Sequence, residues 1–225
     1  MRRDMARRIA DCCRSLYEAG LIAGADGNIA VRVGTERALV TPSGILKSEL
    51  TADDIVEVNF QGDRIRGYRA PSSELDMHLR ILRARDDVTA VVHAHPPVTT
   101  GFGVAGLAFD DCVLPELIYQ MGHVPLVPYG TPGTPDLGES VEPYVARYNA
   151  LILANHGAVT FGATLDDARI RMESLEHAAK IILTARLLGN VIPLEPAQVE
   201  NLEVLRRSRD ISGVYPGCQA GNTEV

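Results

Sequence analysis

No apolar stretch in this chain approaches the ~20 residues needed to cross a bilayer. No hydrophobic run follows the amino-terminal arginines to make a signal peptide. The expectation is therefore a cytoplasmic protein without a membrane partner. A basic excess is also missing: the net charge is −7, whereas nucleic-acid binding leaves a basic footprint. Arg2, Arg3, Arg7 and Arg8 alternate with Asp4 and Asp11 and read as the solvated face of a helix. Cysteine is scarce, four in all, with no CxxC pair, which removes a zinc ribbon and a dithiol redox motif. Adjacent Cys12 and Cys13 read as small apolar residues in a reducing compartment. There is no internal repeat, no low-complexity segment, no Walker sequence and no GxGxxG, so no nucleotide is indicated.

What is present is ordinary globular composition, 46% apolar and 23% charged over 225 residues, enough for one core without staples. A single domain over residues 1–210 is expected. The Gly- and Pro-bearing tail 211–225 is expected to be mobile or docked on a partner subunit. Ile9, Cys12, Cys13 and Leu16 predict a helix over 3–19 that Gly20 ends. Strands are expected at 29–33, 38–41 and 55–60, with a hairpin turn at 61–63. Residues 51–54 read as a short capped turn. Leu75, Leu79 and Leu82 predict an amphipathic helix over 73–84, and 98–104 reads as one or two helical turns. Residues 137–148 read as a helix and 151–154 with 158–161 as a hairpin. A long helix follows from 164 to about 188, opened by a Thr164–Asp167 capping box and stopped by Gly189. Strands and hairpins interleaved with helices exclude a strict βαβ repeat. They favour an α/β fold, a three-layer α/β/α domain with a mixed, largely antiparallel central sheet.

The most informative stretch is Val88-Thr-Ala-Val-Val92 followed by His93-Ala-His95-Pro96-Pro97. Side chains two apart on a strand share a face, about 7 Å apart along the chain, so two imidazoles leave the sheet together. Leu151-Ile-Leu-Ala154 repeats the device with Asn155-His156-Gly157, and Pro71-Ser72-Ser73-Glu74 sets a carboxylate at a helix start. Each His alone reads as a buried, hydrogen-bonded residue. Together, Glu74, His93, His95 and His156 suit a catalytic divalent metal, zinc first. His78, one turn after Glu74, could ligate but reads first as packing or as a support to that group, and His123 and His177 read as structural.

Three small polar loops, Gly27-Asn28, Ser43-Gly44 and Ser72-Ser73, can offer backbone N–H groups and hydroxyls to an anion. Ser72-Ser73 is the strongest, because it precedes a helix amino terminus. Each taken singly is also an ordinary turn or cap. Glu116 and Tyr119 are candidate acid–base groups, or equally a surface carboxylate and a half-buried aromatic.

The motifs GNIAVR at 27–32, TPSG at 41–44, PSSE at 71–74, HAHP at 93–96 and NHG at 155–157, in this order, resemble the class II aldolase and adducin family. Fuculose-phosphate aldolase and ribulose-phosphate 4-epimerase are among its members, and the resemblance spans roughly 5–190. It implies zinc, or Mn2+, Co2+ or Fe2+ in its place, on Glu74, His93, His95 and His156. It implies a phosphate pocket of Gly27, Asn28, Ser43, Gly44, Ser72 and Ser73. Tyr119, or Glu116 where the family has a small residue, is implied as the proton donor. The implied assembly is a homotetramer with active sites at subunit borders. The implied reaction is the reversible cleavage of a ketose 1-phosphate, such as L-fuculose 1-phosphate, to dihydroxyacetone phosphate and a short aldehyde. Epimerase, dehydratase and decarboxylase activities share the scaffold, and adducin heads use it as a non-catalytic interaction module.

Overall fold

The computed structural model describes residues 2–109, 112–208 and 216–218. Eight strands form one sheet: β1 (Asn28–Gly34), β2 (Arg37–Val40), β3 (Val56–Asn59), β4 (Arg64–Arg66), β5 (Ala90–Ala94), β6 (Leu126–Val127), β7 (Ala150–Leu153) and β8 (Gly157–Gly162). Their order is β4-β3-β2-β1-β5-β8-β7-β6. Every pairing is antiparallel except β6 with β7. This is the mixed, largely antiparallel sheet expected from interleaved hairpins and helices.

Strand alternation decides which layer each side chain serves. Ala90, Val92 and Ala94 of β5 join a core with Ile9, Phe102 and Leu175, from α1 (Arg2–Glu18), α3 (Pro97–Val104) and α6 (Leu165–Leu188). Val91 faces the other way, into a core with Leu79, Leu82 and Val141 from α2 (Leu75–Ala84) and α5 (Pro135–Val145). His93 shares the parity of Val91 and so leaves the sheet on the α2/α5 side.

Most expected elements form within a few residues of their predicted ends. Thr51 and Asp54 make a full capping box on a 3-10 turn. Thr164 accepts from the Asp167 N–H to open α6, and Gly189 ends it with φ 154°. The predicted 73–84 helix begins at Leu75, leaving Ser73 and Glu74 in the turn before it. Two helices went unread: α4 (Pro115–Gln120) and α7 (Pro196–Ser208), which pack on one another. The sequence reading also gave no pairing for Cys112 and Cys218, yet the structure joins them as a disulfide, with Cα atoms 5.8 Å apart. Of the tail, only 216–218 lies within the described residues; there the Gly217 carbonyl accepts from the His123 N–H of the same chain.

Candidate metal centre and anion cavity

Four elements converge at one end of the sheet on the α2/α5 side. His93 lies on β5 and is fully buried. His95 follows two residues later, half-buried, just past the strand end. His156 sits in the three-residue connection from β7 to β8, where Leu153 pairs with Gly157. That connection holds Asn155 at φ 55°, the one non-glycine residue with positive φ among the described residues. Asn tolerates the left-handed region better than most residues, and the resulting sharp turn delivers His156 to the cleft. Glu74 occupies the cap position of α2 and is buried.

The donor atoms form a tight group. Nε2 of His93 lies 3.0 Å from Nε2 of His95 and 3.3 Å from Oε2 of Glu74. Nε2 of His156 lies 3.1 Å from Oε1 of Glu74. One ligand nitrogen from each of the three histidines falls within 4.8 Å of the others. Donors around a tetrahedral zinc with bonds of ~2.0–2.1 Å stand about 3.3 Å apart, so this spacing fits a shared ion. Protonation agrees with the geometry. Nδ1–H of His93 donates to the Ala158 carbonyl at 2.9 Å, which turns the Nε2 lone pair inward, the usual support for a ligating imidazole.

Electrostatics keeps the set ready for a cation. Burial lowers the pKa of His93 and of His95, each imidazole disfavouring charge on the next, while Glu74 opposes the shift. Burial alone would raise the Glu74 carboxyl. Its neighbours His93, His156 and Asn28 outweigh that and hold it well below the usual carboxylate range. Neutral imidazoles beside an ionised carboxylate are the protonation states a divalent metal requires.

Glu74 is oriented from behind. Asn28 Nδ2 donates to its Oε2 at 2.8 Å, and His78 Nε2 hydrogen-bonds Asn28 Oδ1. With its Oδ1 engaged by an imidazole N–H, the Asn28 amide must present its NH2 to Glu74. His78 is therefore a brace for the carboxylate rather than filler. Its complete burial lowers its pKa to about 4, so it is neutral at physiological pH.

A cavity of about 120 Å3 adjoins this cluster. Its wall contains all six residues expected from the three polar loops, Gly27, Asn28, Ser43, Gly44, Ser72 and Ser73, together with Glu74 and His95. Gly27 has φ 72°, and a Cβ there would stand 2.9 Å from the His93 carbonyl; only glycine lets this loop approach β5 so closely. Ser72 Oγ accepts from the Glu74 N–H at 3.2 Å, which leaves its hydroxyl proton for a ligand.

Glu116 and Tyr119 are not brought to this cavity within the chain. Both lie on α4, and Glu116 lines a separate groove with Glu173, Ser174, His177 and Ile181. His123 stacks edge-on against Tyr148, and exposed His177 faces the groove, so neither joins the donor cluster. Two wall residues escaped the sequence reading. Asp26 sits 3.7 Å from Nδ1 of His95, and Lys47 is 98% buried in the wall. A scarce residue type was the only available signal for Lys47: two of the 22 basic residues are lysine.

Comparison with known proteins agrees with this geometry. A family model for the class II aldolase and adducin N-terminal domain matches residues 7–183. A 3-oxo-tetronate 4-phosphate decarboxylase of Pectobacterium atrosepticum is 36% identical over 75% of this chain and 78% of its own. A 5-deoxy-D-ribulose 1-phosphate aldolase of Bacillus thuringiensis is 34% identical over 84% and 89%. The solved structure of an L-fuculose 1-phosphate aldolase superposes with a TM-score of 0.85 at 29% identity, covering 92% of this chain and 97% of that one. This protein belongs to the class II aldolase and adducin family, as one of its metal-dependent enzymes.

Proposed function

We propose that this protein is a zinc-dependent aldolase. It would cleave a ketose 1-phosphate, such as L-fuculose 1-phosphate, reversibly to dihydroxyacetone phosphate and a short aldehyde. The observation that carries this reading is the shared wall: Glu74 and His95 belong both to the donor cluster and to the small polar cavity. A substrate whose phosphate fills the cavity therefore has its carbonyl beside the metal ligands.

In this reading Glu74, His93, His95 and His156 hold the ion, which when bound supplies Lewis-acid stabilisation of the enediolate charge. The cavity loops and the positive end of α2 fix the phosphate. Ser72 and Ser73 donate hydroxyl protons, and the narrow Gly27 and Gly44 turns expose backbone N–H groups. Breaking the C3–C4 bond of the ketose phosphate leaves a carbanion at C3. Glu74, held by Asn28, would take the proton from that carbon in the condensation direction and, after picking up a proton from solvent, return one to it in the cleavage direction. The hydroxyl proton on the aldehyde side needs a second base, Tyr119 or Glu116. Because α4 does not reach the cavity of its own chain, that base would come from a neighbouring subunit of a homotetramer.

A second reading is a decarboxylase acting on a phosphorylated 3-oxo acid. The separation of Glu116 and Tyr119 from the cavity favours it, since loss of CO2 removes no hydroxyl proton. The similarity to a relative named as a 3-oxo-tetronate 4-phosphate decarboxylase supports the same reading. Screening the purified protein against ketose 1-phosphates, phosphorylated 3-oxo acids and their unphosphorylated counterparts, with metal analysis of the same sample, tests both. Dihydroxyacetone phosphate with an aldehyde supports the first, and dihydroxyacetone phosphate with CO2 the second. Turnover by a fully active preparation free of metal refutes both.

A further inference from the structure

We propose that Lys47 is the charge that makes the cavity select phosphorylated substrates, an inference that rests on the phosphate-binding reading of this cavity. The cavity needs a cation. Apart from Lys47, its polar wall offers neutral serines, an asparagine and glycine backbone, the imidazole of His95, and two carboxylates, Asp26 and Glu74. The divalent ion that Glu74 would hold balances that carboxylate but not Asp26, so a phosphate dianion entering the loop side of the wall needs a positive charge of the chain's own.

Lys47 has that charge and is placed to use it. Its Nζ donates to the carbonyls of Ala25 at 2.6 Å and Ile45 at 3.3 Å, and its backbone N–H donates to Gly24 at 3.0 Å. One ammonium thus ties the loop carrying Gly27-Asn28 to the loop carrying Ser43-Gly44, and one of its three protons has no acceptor among these. No carboxylate lies within ion-pair distance of it among the described residues. A buried ammonium satisfied only by carbonyls is costly to fold around, and an incoming dianion relieves that cost. Burial lowers its pKa from the ordinary lysine value, while Cys13, Asp26 and Glu74 work the other way. The compact ammonium also suits the place. Nearly all other basic residues here are arginine, whose broad planar fork matches two converging carbonyls less closely than a compact ammonium does, although it keeps the charge.

The test compares wild type with Lys47→Met and Lys47→Arg, each checked for folding by circular dichroism and for metal content, with inorganic phosphate as the probe in calorimetry. Lys47→Met is expected to bind phosphate at least tenfold more weakly at unchanged metal content. It should raise KM for a phosphorylated substrate far more than it lowers kcat, and Lys47→Arg should recover part of the loss. A brace with no role in charge would lower stability without that KM-against-kcat split. With only two lysines in the chain, 13Cε labelling gives a second measurement on wild type, and the Lys47 signal should move as phosphate saturates the site. A folded, metal-loaded Lys47→Met that binds phosphate within twofold of wild type, or a Lys47 signal that phosphate leaves in place, overturns the inference alone. Wild type with no affinity for phosphate overturns the phosphate reading and the inference together.

Discussion

Gly157 is where the sheet and the histidine cluster press hardest on one another, and adding one methyl there should separate stability from metal binding. A Cβ at Gly157 would stand 2.5 Å from the Ala94 carbonyl oxygen, 2.7 Å from Cδ2 of His95 and 3.3 Å from Cε1 of His93. Close carbon–oxygen contacts settle at about 3.3 Å or more, so the carbonyl must retreat by roughly 0.8 Å. That carbonyl belongs to the β5–β8 ladder, where Ala94 faces Ala158, and it cannot swing away as a side-chain tip does. Overpacking of this kind costs about 1–3 kcal/mol, or about 2–4 °C in Tm per kcal/mol for a chain of this size. His95 must turn as well, and disturbing the support of a ligand typically costs about 10–100-fold in metal affinity. Chelator competition and thermal unfolding on Gly157→Ala measure the two effects separately. Gly101→Ala is the control, since a Cβ there meets nothing within 4 Å. In the α3 interior it should stabilise by about 0.5–1 kcal/mol without touching the metal. Metal affinity in Gly157→Ala within about twofold of wild type would refute the claim that strand packing fixes these imidazoles.

If Glu74 is the proton carrier proposed, Glu74→Gln keeps an oxygen donor but loses that carrier, so turnover should fall by about 10²–10⁴-fold with metal still bound, read by steady-state kinetics with metal analysis. Metal-free protein should lose stability on acidification. His78 titrates near 4 when folded against about 6.5 unfolded, so the unfolded chain binds more protons in between and stability climbs with pH across that window. Denaturant melts at pH 7.5 and pH 5 should differ by about 2 kcal/mol from this group, with His93 and His95 shifting the same way; equal stability at both pH values would contradict the buried neutral state. Glu176, 1% exposed, accepts from the N–H groups of Val98 and Thr99 and from the Thr99 hydroxyl. Glu176→Gln leaves one acceptor oxygen and should cost about 1–3 kcal/mol, which chemical unfolding would detect.

The donor cluster was legible because strand geometry is strict. A period of two puts His93 and His95 on one side whatever else the chain does, and apolar runs ending in polar turns marked β5, β7 and the approach to His156. The shared placement of the six cavity residues was legible because small polar residues at turns and a helix start mark local backbone that can face an anion. Lys47 was not, because its importance arises only when the pairing of β1 and β2 brings the loop before Gly27 against the loop after Gly44, more than twenty residues apart in sequence. Helix α7 lacks the stripe that betrays a helix: only Val199 and Arg206 are buried along it. Helix α4, six residues opened by Pro115, is too short for any periodicity to show. The disulfide joins residues 106 apart in sequence, a distance over which spacing carries no information.

The identity of the leaving fragment depends on one proton. If the fragment departs as an aldehyde, its hydroxyl must lose a proton as the bond breaks, and in the proposed mechanism Glu74 already carries the proton destined for the adjacent carbon and is not free to accept it. If the fragment departs as CO2, no hydroxyl proton is in play. Tyr119→Phe and Glu116→Gln decide the matter when two rates are followed together: release of dihydroxyacetone phosphate, and exchange of its hydroxymethylene proton with deuterated solvent. In the proposed mechanism exchange would need Glu74 and the ion it helps to hold, but not α4. A true aldehyde-side base should therefore slow cleavage by about 10²-fold or more and leave exchange near the wild-type rate. Equal losses in both rates would mean that α4 supports the site as a whole rather than moving that proton. Unchanged release in both variants would leave the aldehyde side without a base and turn the assignment toward decarboxylation, in which the same carbanion forms with no second proton to move.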